Sequence, residues 1–179
     1  MDERRILKAE LRWVIVVAIA VGLMVIVIIT TTLTNALHPP SNVETIDPAT
    51  LHLAGEFVEA NLGAQENDDG TVTVRLVATQ FAFVPRCLPV PAGRQVTLRV
   101  TSPDVLHGFI VAGTNVNTMV VPGYVAEITT EFDKTGDHLM PCHEYCGLGH
   151  SNMWAVLRVL PEEEWNPDEN GRMTCDLIP

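Results

Sequence analysis

The run from Trp13 to Ile29 carries no charge and no polar group apart from the Trp13 indole, and Thr30, Thr31, Thr32 and Leu33 extend it. About 20 apolar residues are what a single helix needs to cross a ~30 Å hydrocarbon layer, and helices buried in water-soluble domains are usually shorter and more mixed. A cleaved secretory signal would have an apolar part of about 7–15 residues followed by a small-x-small site. This run is longer, and Leu33-Thr34-Asn35-Ala36 is a poor site. A retained membrane helix over residues 13–33 is therefore expected, preceded by a short terminus, 1–12. Arg4, Arg5, Lys8 and Arg12 come before the run, and the next basic residue is Arg75. Positive charge stays on the cytoplasmic side. That puts the N-terminus in the cytoplasm of a cell whose inner or plasma membrane the chain crosses once. Everything from about residue 35 is then on the periplasmic or extracellular side, where disulfides are permitted.

The rest of the chain is acidic. Of 22 acidic and 11 basic residues in 179, three and four lie in the first twelve. The exported part therefore carries 19 acidic against 7 basic, a net charge of −12. Nucleic acid is excluded as a main partner, since phosphate binding needs clustered Lys and Arg. An acidic face suits the steering of a basic soluble partner, although solubility alone would also account for it. The length leaves room for one ordinary domain beyond the anchor.

Residues 34–70 read as a linker with one short helix. His38-Pro39-Pro40-Ser41-Asn42 cannot continue the anchor helix. Asp47-Pro48 is a helix start, Leu51, Ala54, Val58 and Leu62 fall near helical spacing, and Gly63 is a plausible stop. Gln65–Gly70 reads as a turn or loop. From Thr71 the period becomes two: Val72, Val74 and Leu76, then Val96, Leu98 and Val100, alternate with polar neighbours. Further short strand-like runs are 108–111, 125–132, 138–140 and 154–160. Turns at Pro91-Ala92-Gly93, Pro122-Gly123 and Thr135-Gly136-Asp137 separate several of them. A mainly β sandwich or barrel over residues 71–160 is expected, with no βαβ alternation. The tail, 161–179, reads as acidic irregular chain.

One loop carries chemistry. Cys142-His143-Glu144-Tyr145-Cys146-Gly147-Leu148-Gly149-His150-Ser151-Asn152-Met153 lies between two strand-like runs, with the spacing C-x3-C-x3-H-x2-M. Thiolate, imidazole and thioether together select copper, and His107, at the start of another strand, could reach the same loop. Structural zinc would want four Cys or His ligands, and methionine is not usual for it. A single blue copper would use one thiolate, where two are on offer here. A Cys142–Cys146 disulfide would close a tight, strained ring. Two thiolates four residues apart can instead bridge two metals, with one histidine for each. His38, His52, His138 and His143 are not expected to be ligands.

The loop, together with Ser102-Pro103-Asp104-Val105-Leu106-His107-Gly108 and Gly113-Thr114-Asn115-Val116-Asn117, closely resembles subunit II of heme–copper cytochrome c oxidases. The single anchor is similar to the B-type branch of that family. The resemblance implies a cupredoxin-like Greek-key β-sandwich holding a binuclear copper centre, CuA. It implies side-chain ligation by His107, Cys142, Cys146, His150 and Met153, with Glu144 giving its backbone carbonyl. It further implies His107 and Met153 on one copper, His150 and Glu144 on the other, and both thiolates bridging. The partners implied are a c-type cytochrome as donor and a haem-containing catalytic subunit I in the membrane, where oxygen is reduced. A nitric oxide reductase of the same superfamily is the nearest alternative, and a membrane-anchored copper chaperone a remote one. The chaperone fold would need βαβ alternation. Phe81 and Phe83 are the nearest candidates for a surface where electrons enter, and Glu10 for the mouth of a proton path. Outside the copper motif, Cys87 and Cys175 are expected to pair, the alternative being two unrelated thiols.

Overall fold

A computed structural model describes residues 3–34 and 44–175. The chain forms two compact units, 1–42 and 43–179. The Pro-rich stretch 38–42, read above as linker, lies outside the described residues, as do 176–179 of the tail.

The first unit is one helix, α1 (Glu3–Thr34). Ile6–Leu33 has a mean hydropathy of 3.1 and buries nothing against protein, so by length and composition it can cross a membrane. At 1.5 Å per residue those 28 residues reach about 42 Å, enough for a ~30 Å layer with tilt. Thr30 and Thr31 do not break its apolar character: their hydroxyls donate back to Ile26 O and Val27 O at 2.8 Å each.

The second unit is a two-sheet β-sandwich. In chain order its strands are β1 (Glu44–Thr45), β2 (Gly63–Glu66), β3 (Val72–Thr79), β4 (Ala82–Val84), β5 (Cys87–Pro91) and β6 (Gln95–Thr101). There follow β7 (His107–Ile110), β8 (Asn117–Val120), β9 (Tyr124–Glu131), β10 (Gly136–Pro141), β11 (Trp154–Leu160) and β12 (Arg172–Met173). One sheet runs β1-β9-β6-β3-β2-β12, with β4 also paired to β3; another runs β10-β11-β5, and β7-β8 is a hairpin. Each of the two larger sheets contains one parallel pair, β3 with β6 and β5 with β11. Such pairs need crossovers between the sheets, and the result is the mainly β, cupredoxin-like sandwich. The alternation in β3 is strict: Val72, Val74, Leu76 and Ala78 are buried and their neighbours are not. Their side chains meet Leu88, Val90, Phe109, Leu157 and Val159 in one core.

Three readings change. No α-helix forms over 48–62. Asp47 does cap, accepting from Ala49 N at 3.0 Å, but only single 3-10 turns follow, at Pro48–Thr50 and Glu59–Asn61. Leu51 and Phe57 are buried with Val125 in a small second cluster, while Ala54 is exposed, so the helical spacing is not the spacing that packs. Gly63 is no helix stop, and Gln65 and Glu66 are strand rather than loop: they belong to β2, which pairs with both β3 and β12. The tail is not irregular chain. Trp165 is buried and its indole donates to Glu66 Oε2 at 2.7 Å, Met173 reaches the core, and Cys175 is bonded to Cys87 across a Cα–Cα distance of 6.1 Å.

Segment 44–62 is also held by charge. Arg99 on β6 is ion-paired to Glu44, to Glu56 at 2.5 Å and to Glu127, and Glu56 also receives Arg75 at 3.3 Å.

Candidate metal centre

The Cys142–Met153 loop joins β10 to β11, and backbone bonds close it at its base. Cys142 N donates to Met153 O at 2.9 Å and His143 N to Gly108 O at 3.0 Å, so the loop is tied to β11 and to the strand that begins at His107. A 3-10 turn at His150–Asn152 brings Met153 back under the cysteines. A ring nitrogen of His107 and the Sγ atoms of Cys142 and Cys146 all lie within 4.8 Å of one another, and all three residues are buried. Cys146 Sγ is 3.6 Å from His150 Nδ1 and 3.6 Å from Met153 Sδ, and Cys142 Sγ is 3.2 Å from Glu144 O. All six positions read from the motif thus converge on one spot.

His107 has the surroundings of a candidate metal ligand. The ring is wholly buried; Nε2 lies 2.8 Å from Asp104 Oδ1, and Nδ1 has no hydrogen-bond partner. A carboxylate can only accept, so Nε2 carries a proton, and in the neutral ring Nδ1 then keeps a bare lone pair. A buried, unpartnered lone pair is costly unless something electrophilic meets it. Cys146 tells the same story. Burial first, then the neighbouring Cys142, pushes its thiol up to about 11. Soft donors kept from water in this way fit copper, which displaces the thiol protons when it binds.

Sequence reasoning missed Asp104. Burial opposes its ionisation, yet donors from Gln80 N, His107, Val105 N and Thr79 hold the carboxyl at about 2, a fixed anion behind the histidine. Its place three residues before His107 was the available signal. Gln80 was also missed: its side-chain amide donates to Cys146 O at 2.5 Å across 66 residues of sequence, which no local pattern reveals. His143 is exposed and its ring lies against Gly108, where a Cβ would collide with it.

The remaining candidates are not part of this cluster. Phe83 is completely buried in the core, edge-on to Phe109 at 6.1 Å, and is therefore no surface for electrons to enter. The register of β4 turns it inward and leaves Val84 outward. Phe81 is 38% exposed and lies over the loop glycines 147 and 149. Glu10 is on α1, exposed, in the other unit.

Residues 67–160 match the family model described as cytochrome c oxidase subunit II, periplasmic domain. The chain belongs to that family. Cytochrome c oxidase subunit 2 of Thermus thermophilus is 35% identical over 126 residues, which cover 70% of this chain and 93% of the relative. A second subunit 2 from the same species is likewise 35% identical over 126 residues, 75% of its length. A chain of a solved heme–copper terminal oxidase dimer superposes with a TM-score of 0.65 at 25% identity, covering 85% of this chain and 99% of the other. This subunit II is thus part of an oxidoreductase complex of the heme–copper oxidase class, and α1 fits it as a membrane-anchored subunit. Its His and Cys cluster is a candidate site for copper.

Proposed function

We propose that this subunit II accepts electrons for the oxidase at a binuclear copper centre, CuA, and hands them to haem in subunit I. The observation that carries this is the lone pair of His107 Nδ1, buried and unpartnered in a cluster with two buried thiols. Cys142 and Cys146 would hold the two coppers together with His107 and Met153 for one and His150 and the Glu144 carbonyl for the other. When bound, such a pair supplies a one-electron acceptor that needs no open coordination position.

The chain's own residues do the rest. Core burial of Cys142, Cys146, Met153 and His107 excludes water. The backbone ties at Cys142 and His143 hold the ligands at set positions, which lowers the reorganisation an electron must wait for. Asp104 fixes the His107 tautomer so that only Nδ1 can ligate. The donor is a c-type cytochrome on the outer face, the anchor runs with its N-terminus in the cytoplasm, and Phe81, exposed beside the loop glycines, is where electrons enter. The nitric oxide reductase alternative is distinguished by assaying the complex with both gases.

The test is the copper-loaded full chain in detergent. Two coppers per chain and a delocalised mixed-valence EPR signal are expected, and Cys146→Ser should abolish that signal. A signal that survives the substitution overturns the ligand set.

A further inference from the structure

The turn between β3 and β4 touches the copper loop although neither Gln80 nor Phe81 is a ligand. The Gln80 amide donates to Cys146 O at 2.5 Å, and its own backbone N–H donates to Asp104 Oδ2 at 2.7 Å. Asp104 Oδ1 in turn holds His107 Nε2 at 2.8 Å. A continuous path of hydrogen bonds thus runs from the carbonyl of one ligand, Cys146, to the ring of another, His107. These two ligands lie on separate elements, one on the β10–β11 loop and one at the head of β7. On the other flank of the turn, the Phe81 ring lies so close to Gly149 that a Cβ there would overlap it, and one at Gly147 would come within 2.9 Å of it.

From this juxtaposition we propose that Gln80 is a positioning residue for the metal centre. Its side-chain amide sets the direction of the Cys146 peptide, and hence of its thiolate, while its backbone ties that setting to His107 through Asp104. The role deepens the copper reading above and rests on it. Without the amide donor, Cys146 O would turn to solvent and the 146–150 turn would loosen, while Cys142, held by its own backbone bond to Met153 O, would stay in place. The effect is therefore asymmetric between two chemically identical ligands, which a general loss of stability would not produce.

The experiment uses the full chain in detergent with Gln80→Met, which keeps the side-chain length and removes the donor at an exposed position. Loaded with copper, the variant should move the paramagnetically shifted β-methylene proton resonances of Cys146 and leave those of Cys142 in place, with a resolved shift of midpoint potential. Free of metal, the His150 amide, bonded to Gly147 O, should exchange at least about tenfold faster than in the unsubstituted chain. Gln80→Ala should repeat both results. Unmoved Cys146 resonances and unchanged exchange overturn the role of Gln80, as do shifts equal at the two cysteines. An unsubstituted chain that takes up no copper pair overturns the metal reading instead, and the exchange measurement on the metal-free chain tells the two failures apart.

Discussion

At the scale of single residues, the site is built from small differences in what a side chain can donate or occupy. The pairing of His107 with Asp104 assigns a tautomer, and the tautomer assigns the ligand atom. Gly149 is a second case. Its backbone lies at φ −91°, ψ 5°, open to any residue, so alanine there meets only a steric objection. That objection is firm, because the Cβ would overlap Phe81 near the base of its side chain. Gly149→Ala should cost about 1–3 kcal/mol as an overpacking change, read as a lowered Tm, and should weaken copper retention against a chelator. An unchanged Tm with full retention would show that Phe81 is free to move. The candidate ligands between Cys142 and Met153 were legible because residue type and spacing in one loop carry them, while His107 reaches them from β7. Phe83 was misread because burial is not a property of the residue; the register of β4 against β3 decides it.

At the scale of elements, charge holds what apolar pattern does not. Segment 44–62 has two buried apolar anchors, Leu51 and Phe57, and no regular structure beyond β1 and isolated turns. Burial works against ionisation of Glu56, but hydrogen bonds and charge from Arg99 and Arg75 outweigh it and hold the carboxyl below its ordinary 4.5. A carboxyl lowered by folding contributes fully above the unfolded value and loses its contribution as pH falls through the folded one. Protection of the Ile46 amide, bonded to Gly123 O, should therefore fall as pH is taken from about 5 towards 3, and Glu56→Gln should flatten that dependence. A wild-type profile with no slope in this window would remove Glu56 from the account. The expected helix failed here because Asp47 and Pro48 start a turn by local geometry, while its continuation depends on which side chains the sheet accepts. β5 was invisible for a related reason. Pro89 and Pro91 argue against a strand, yet β5 lies at the edge of its sheet and pairs on one side only, where prolines are tolerated.

At the scale of the whole molecule, the chain joins an apolar helix to an acidic β-domain, and the two answer different solvents. Residues 13–179 carry 19 acidic and 7 basic residues, while Arg75, Arg94, Arg99 and Arg158 are engaged in ion pairs. Electron transfer from a cationic cytochrome should therefore slow by about tenfold or more as ionic strength rises from about 10 to 200 mM, because the field of a charged face is screened within a Debye length. Stopped-flow reduction of the copper-loaded chain measures this, and a rate insensitive to salt would rule out steering. The sequence by itself determined the long apolar helix, the alternating strands and the candidate metal-binding residues of the 142–153 loop, because each is written in neighbouring residues whose spacing obeys one period or one loop. Only the tertiary structure decided that Asp104 and Gln80 stand behind the ligands, that Phe83 is core, and that the tail closes onto β2. Apart from Asp104 beside His107, those are meetings between residues far apart in the chain, and only the crossing of strands between two packed sheets brings them together.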